Sequence, residues 1–524
     1  MDYNNLILVV LSALPFILLL LLVVIRRWPA LYAMPIVWFI VSLSLILLWK
    51  VDISWIVAAT IKGTFLAIEI MLIIFFAVFL IDILKVKGEM KKFQKLLSYI
   101  SDDARIQVII IAFLFGSLIE GVAGFGTPAA LAAPILVSLG FTPVLAVVVS
   151  LISNSVPVSF GAVGTPILMG LGGLGLERNL IDEVTKNVAL IHFIVSIIIP
   201  LFISFLVCKN YSKNYYKGFI EIVPFSILTW LAFGIPYLLT ARYIGSELPS
   251  LVGGLVGLLI LIPAAHFGFL VPKNKIIINK KTKTETKFKE NILSIIPFIL
   301  LIILLSISRI FLPLKDFLTQ YDLSFYRILI TNVSYSFLPF YTPSFYLLIA
   351  CLFSIFLFKV NFKEIKVSSS NTFKKIKSPT IALVFAISLV QLFLISGVNL
   401  SGNESMPIIL AKFISDLFGS SYLFIAPFIG ALGSFIAGSN TVSNLLFGAF
   451  QFEAAKNLGI SVVLILSLQV VGGAVGNMIA IHNVLAAEAT VGSKGQEGII
   501  IRKTIWVTII YVLIAGLVGF ILIR

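Results

Sequence analysis

The sequence predicts an all-α polytopic membrane protein with about twelve transmembrane helices and two re-entrant helical hairpins set in inverted repeats. Three observations predict it. Of 524 residues, 60% are hydrophobic and 12% charged, against about 45–50% and about 25% in soluble domains, which excludes a soluble globular protein. Apolar runs such as 6–25 and 292–307 are unbroken, as spanning helices of roughly 20 residues require, whereas outer-membrane barrels show short alternating strands. Finally, 27 of the 38 Lys and Arg fall in six short connections, the pattern expected of cytoplasmic loops. That placement also explains the net charge of +15 without a nucleic-acid partner, which would need a basic folded face.

The six basic loops are 26–27, 85–105, 209–217, 273–289, 359–377 and 494–503. Setting all of them inside fixes twelve spans: 6–25, 31–48, 64–84, 143–168, 188–207, 220–239, 250–271, 292–312, 342–358, 379–397, 459–480 and 504–523. Both termini are then outside. The first run has no basic segment before it and no small-residue cleavage site after it, so it reads as a retained helix. Cys208 and Cys351 lie in or beside apolar segments far apart in sequence, which argues against a disulfide or metal framework.

Two apolar stretches, 106–140 and 420–458, are too long for one span and are interrupted by polar, glycine-rich sequence at 120–128 and 438–444. Each half is roughly 20–27 Å long at 1.5 Å per residue. Parity holds only if each stretch enters and leaves on one side, the first from inside and the second from outside. The chain then reads as one transporter domain, 1–524, with repeat cores 64–207 (hairpin 106–140) and 379–524 (hairpin 420–458). Residues 208–378 supply intervening helices with cytoplasmic basic loops at 272–291 and 359–378.

A sequence repeat agrees with this layout. Gly116-Ser117-Leu118-Ile119-Glu120-Gly121 matches Gly433-Ser434-Phe435-Ile436-Ala437-Gly438 at an offset of 317, and 139–145 matches 458–464 at 319. Hairpins entering from opposite faces make the repeats inverted, and inverted repeats with broken helices point to the binding site of a secondary transporter. Chance likeness between apolar segments is the competing reading.

Irregular backbone inside a bilayer is tolerated only where protein buries it or a cavity adjoins it, so the interruptions mark candidate sites. At the first tip, Gly121, Gly124 and Gly126 let backbone approach a ligand, and Thr127 with Pro128 suits the start of a helix. A helix N-terminus can hold a carboxylate through its free N–H groups without Lys or Arg. At the second tip, Ser439, Asn440, Thr441, Ser443 and Asn444 offer hydroxyls and amides for a hydroxy acid or a small cation. The spans that follow are also broken, the first by Asn154-Ser155-Val156-Pro157 and the second by Gly472, Gly473 and Gly476 before Asn477. Helix–helix packing is an equal reading for any one of these small or polar residues; their clustering at four breaks favours a site.

Glu120 is the one acid at a hairpin tip, and intramembrane acids are costly and usually functional. It is a candidate proton carrier, with a carboxylate at an exposed turn as the alternative. Glu69 and Lys62, seven residues apart on one helical face, are expected to form an interfacial pair with Lys62 snorkelling outward. His192 and His266 are expected to pack at interfaces, and His482, at the end of the second broken span, is a weaker relay candidate. No zinc-protease, nucleophile-elbow or dinucleotide motif is present in a suitable context. A non-enzyme without a cofactor or resident metal is therefore expected.

At these residues the chain resembles the lactate permease family. Glu120-Gly-Val-Ala-Gly-Phe-Gly-Thr-Pro128, then Asn154-x-x-Pro157 and Phe160-Gly-Ala-Val-Gly-Thr-Pro166, are similar to its first signature; Gly438-Ser-Asn-Thr-Val-Ser-Asn-Leu-Leu-Phe-Gly448 and Gly472-Gly473 are similar to its second. The resemblance implies proton-coupled uptake of lactate, and often glycolate, across the plasma membrane. It also implies kinship with ion transporters whose hairpins move as an elevator of transport and scaffold subdomains, with a homodimer the favoured assembly. Two departures matter: Asn440 stands where the family commonly has Asp, and Asn477 where a basic residue is expected. Ser439-Asn440-Thr441 is also similar to the tips of sodium-coupled dicarboxylate symporters, which keeps sodium open as the coupling ion, near Asn154 and Asn440.

The expectation is thus a symporter of L-lactate, or of D-lactate or glycolate, embedded in membrane lipid. The Gly121, Gly124, Gly126 and Thr127 N–H groups bind the carboxylate. Asn154, Ser155, Ser439, Asn440, Thr441, Ser443, Asn444, Gly472 and Gly473 complete the site, and Glu120, Asn440 and His482 serve coupling. The alternatives are a sodium-coupled symporter of another organic anion, a passive channel, or a non-transporting subunit of a membrane redox or ion-pumping complex.

Overall fold

A computed structural model describes residues 3–26, 28–92, 100–124, 126–278, 292–493 and 495–523. Arg27, Phe125, Lys494 and the interiors of the basic loops expected at 85–105 and 273–289 lie outside the described residues. The described chain is helical apart from one two-stranded antiparallel hairpin, Leu323–Phe325 with Tyr335–Phe337. Thirteen helical stretches are long and apolar enough to span a bilayer, and three shorter apolar helices accompany them, Thr127–Ser138, Pro143–Ser153 and Pro343–Leu357. The protein is a multi-pass membrane protein.

The set of spans differs from the expected twelve in ways that local chemistry explains. The expected span 143–168 is three pieces, Pro143–Ser153, Pro157–Phe160 and Gly161–Leu168, because Pro157 offers no N–H to the preceding turn and its ring opposes continuation. Met406–Phe418, expected as loop, is a helix leading through Gly419 into Tyr422–Ala437; Lys412 and Asp416 interrupt its apolar run. Helix Ile53–Val86 starts eleven residues before the expected 64, where the Asp52 side chain accepts from the Ser54 amide. The expected basic loop 359–377 is mostly the start of helix Phe362–Ile395, nucleated by a capping box in which Asn361 and Glu364 satisfy each other's backbone amides. Lysines on a helical face are as well solvated as in a loop.

Two expected side-chain placements also change. Lys62 and Glu69 form no ion pair; Glu69 instead accepts a hydrogen bond from the Tyr335 hydroxyl at 3.1 Å. His192 is not interfacial but fully buried. Helix Arg178–Val195 carries it between Ser159 Oγ, 2.8 Å from Nε2, and Tyr511 Oη, 2.7 Å from Nδ1.

Burial orders the helices by role. All of 104–123 is buried inside the protein, as is 89% of the most apolar window of 462–490 and 83% of 157–174, whereas only 22% of Leu6–Val23 is. The centre of the molecule is therefore built from the interrupted helices. The long continuous helices Ile53–Val86 and Phe362–Ile395 pack extensively against each other.

Candidate functional site

Four chain breaks make the site, each for a local reason. Helix Gly116–Ala123 ends at Gly124 (φ +56°), and Gly126 (φ +76°) turns the chain into Thr127–Ser138; both angles lie in the left-handed region that favours glycine. Tyr422–Ala437 ends at Gly438 (φ +70°), and Asn440–Leu458 starts two residues later. In the third break, Ala162 (φ 41°), Val163 (φ 54°) and Gly164 (φ 77°) are all left-handed. This is costly for Ala and more so for a β-branched residue, about 1–2 kcal/mol per residue, and the Thr165 hydroxyl donates back to the Ala162 carbonyl to close the turn. The fourth break follows Val462–Gly476, where Asn483 Nδ2 donates to Asn477 Oδ1 at 2.6 Å and to its carbonyl at 3.0 Å.

The four breaks meet around one narrow cavity of about 20 Å³. Glu120 and Gly124 line it from the first, Ser439, Asn440 and Thr441 from the second, Val158, Gly161, Ala162 and Pro166 from the third, and Asn477 from the fourth, with Gly438 beside them. Glu120 is the only ionisable residue among these, and it is buried rather than at an exposed turn. Its Oε2 accepts from Asn154 Nδ2 at 3.0 Å. Its Oε1 lies so close to Gly161 that a Cβ there would overlap it.

Asn440 opens helix Asn440–Leu458 and is 2% exposed, yet neither its Nδ2 nor its Oδ1 has a hydrogen-bond partner among the described residues. Gly473 makes room for it, since a Cβ on Gly473 would strike Asn440 Oδ1. The Ser439 hydroxyl makes no capping bond to this helix. The first N–H groups of a helix have no intrahelical partner, so this end presents free donors and a partial positive charge beside an unpartnered amide. Asn154 Oδ1 is likewise buried without a partner, as are the hydroxyls of Ser117 and Ser434, which occupy equivalent positions in the two matching hexapeptides.

Of the expected site residues, the structure thus brings Glu120, Gly124, Ser439, Asn440 and Thr441 to the cavity wall, with Asn154 behind Glu120. The others serve the frame. Gly121 lies within its helix against Leu251, and Gly472 lies against the Pro427 carbonyl. Gly126 faces Asn483, and the Thr127 N–H donates to the Gly124 carbonyl at 3.0 Å. Of the four amides expected to cradle a carboxylate at the first tip, those of Gly124 and Thr127 thus donate within the hairpin, the Gly124 N–H to the Glu120 carbonyl at 3.1 Å. Ser155 donates to the Ile152 carbonyl at 2.7 Å and Ser443 to that of Gly430 at 2.8 Å. Asn444 donates to the Pro166 carbonyl at 2.9 Å, tying the second and third breaks. The His482 ring fills the space that a Cβ on Gly438 would occupy, behind the cavity wall. Sequence reasoning missed Val158, an apolar residue with no signal of its own; Gly161, Ala162 and Pro166 were marked only within the family signature, and Asn477 only at the end of a broken span and as a departure from the family pattern. Asn477 and Asn440, the two departures from the family pattern, line the same cavity.

Comparison with known proteins gives a consistent result. The family model described as L-lactate permease matches residues 8–524. A Haemophilus influenzae relative is 36% identical over 535 residues, spanning 97% of each chain. The L-lactate permease of Streptococcus iniae is 31% identical, covering 75% of this chain and 79% of its own, and the glycolate permease of Escherichia coli is 28% identical, covering 85% and 83%. Among solved structures, the Alcanivorax borkumensis YdaH transporter aligns over 86% of this chain and 84% of its own at 13% identity and a TM-score of 0.43, too distant a likeness to assign a shared architecture. On its sequence over nearly its whole length, the chain belongs to the L-lactate permease family.

Proposed function

We propose that this chain is a secondary active transporter that imports L-lactate, and D-lactate or glycolate where they fit, across the plasma membrane by proton symport. The observation that carries the reading is that Glu120 and the uncapped start of helix Asn440–Leu458 share one cavity whose wall holds no Lys or Arg among the described residues. The substrate carboxylate takes the free N–H groups of that helix and Asn440 Nδ2. Thr441 and Ser439 lie within reach for the 2-hydroxyl. Two carboxylates about 4 Å apart repel by about 4 kcal/mol at an effective dielectric of about 20. Lactate therefore enters with a proton on Glu120 and leaves with it.

The two hairpins, 106–140 and 420–458, are proposed to be re-entrant and to belong to inverted repeat cores 64–207 and 379–524, with both termini outside. The matching hexapeptides and the meeting of four breaks at one cavity support this. The interrupted centre would be the moving unit of an elevator, and the continuous helices beside it the scaffold, held as a homodimer.

One observation favours a second reading. Asn154 Oδ1 and Asn440 Oδ1 are both buried, unpartnered acceptors, the groups that a sodium ion would draw on. Uptake of labelled L-lactate into proteoliposomes separates the two. Accumulation above equilibrium under an inward proton gradient without sodium supports proton symport. Accumulation only under an inward sodium gradient moves the coupling to sodium, and accumulation under neither sinks the symport of lactate.

A further inference from the structure

Away from the central cavity, the β-hairpin Leu323–Phe325/Tyr335–Phe337 lies against helix Ile53–Val86 and closes a groove of about 220 Å³. Strand alternation gives the hairpin two faces. Ser324 and Ser336 both donate to the Asp322 carboxylate on one side, while Phe325 and Tyr335 turn to Phe65, with ring centroids 4.9 and 5.3 Å away. Its loop exposes Leu329 at 50% and Ile330 at 97%. An apolar loop tip and aromatic rings on a spanning helix place this element at a membrane–water interface.

The groove is apolar but for Glu69, whose carboxylate opens into it between Phe65, Leu72, Phe325 and Tyr335. That carboxylate receives one hydrogen bond, from the Tyr335 hydroxyl at 3.1 Å, and has no cationic partner among the described residues. Lys62 lies seven residues earlier, on the same helical face and about 10 Å along the axis, and it too lacks an ion pair among the described residues. An unneutralised acid in an apolar, aromatic-walled groove asks for a cation that carries an apolar tail, because ring faces attract ammonium groups and the groove buries hydrocarbon. An unpaired cation on the same face asks for an anion joined to it.

We propose that this groove binds the headgroup of an aminophospholipid. Glu69 takes the ammonium, Phe65, Phe325 and Tyr335 wall it, and Lys62 takes the phosphate.

The test uses the full-length protein in nanodiscs of phosphatidylglycerol containing a minor fraction of phosphatidylethanolamine with the same acyl chains. Native mass spectrometry reads the ratio of the two lipids retained. The expected result is at least a threefold enrichment of the ethanolamine lipid over its bilayer fraction, falling to that fraction in Glu69→Gln and in Phe325→Ala. The second variant sits on the hairpin, outside the spanning segments, and carries the test if the first does not fold. Retention at the bilayer ratio by the unaltered protein, or enrichment that survives both substitutions, overturns the proposal. Binding of hexylammonium without enrichment of the lipid also overturns it, in favour of a soluble alkylammonium.

Discussion

The Asn154 side chain donates to the Glu120 carboxylate at 3.0 Å, joining the first chain break to the third across 34 residues of sequence. The amide fixes one carboxylate oxygen and leaves the other beside Gly161, at the wall of the cavity that Asn440 enters from the opposite hairpin. A proton on this carboxyl is thus placed where an incoming anion would feel it most.

Glu120→Gln keeps the hydrogen-bonding shape while removing the titrating group. The variant is expected to exchange labelled for unlabelled lactate across proteoliposomes at near normal rate. Under an inward proton gradient its accumulation ratio should fall to about one. Gradient-driven accumulation that survives would remove Glu120 from the coupling role.

Asn440→Ala deletes a buried amide that has no protein partner, so folding loses little hydrogen bonding. If the amide serves the substrate carboxylate, the loss is that of a hydrogen bond to a charged group, about 1.5–3 kcal/mol. The KM for lactate should then rise by about tenfold to about 150-fold at similar protein yield. An unchanged KM would place the carboxylate elsewhere.

Tyr511→Phe tests the buried bridge rather than the site. It leaves His192 Nδ1 without its partner at 2.7 Å, an unsatisfied buried group costing about 1–3 kcal/mol. The thermal midpoint in detergent should drop while the KM for lactate stays. A drop in affinity at unchanged stability would mean that the bridge tunes the cavity.

Asp322 lies outside the membrane-spanning segments, and hydrogen bonds from Ser324 and then Ser336 hold its carboxyl below the usual aspartate value. A group depressed on folding stabilises the folded form above its unfolded pKa, about 3.9, and that contribution is lost as pH falls through the lower folded value. Hydrogen-exchange protection of 323–337 should therefore hold from pH 8 to about 5 and decline only below about 4. In Asp322→Asn it should be lower throughout and lack this acid step.

The breaks were legible because glycine and proline announce them: Gly124, Gly126, Pro157 and Gly438 each stand where the chain turns. Glu120, Ser439, Asn440 and Thr441 were legible because a polar residue inside an apolar stretch needs a reason. What a polar residue binds was not legible, since partners come from distant sequence. Ser443 is taken by the Gly430 carbonyl and Asn444 by that of Pro166, and nothing local distinguishes them from Asn440. Val158 and Ala162 reach the cavity wall by backbone geometry alone. Helix Met406–Phe418 was hidden by Lys412 and Asp416, and the start of Phe362–Ile395 by its lysines, because charge was read as loop where the helix only had to keep it solvated.

Gly161→Ala separates the carboxylate's position from its charge. Gly161 has φ −70°, an ordinary backbone angle, so an alanine there meets no conformational strain. What it meets is the Glu120 carboxylate, which its Cβ would overlap while Asn154 holds the other oxygen. The carboxyl must then swing into the cavity or break its bond to Asn154, and either move takes space from the cavity or displaces the carboxyl on which the proposed coupling rests. Uptake should fall at least tenfold, with the thermal midpoint close to that of the unaltered protein. Combining it with Glu120→Ala, which removes the obstructing carboxyl, should restore lactate exchange but not proton-driven accumulation. Full uptake by Gly161→Ala alone would show that the Glu120 carboxyl has freedom to move without cost, and that its placement against Gly161 does not matter to transport.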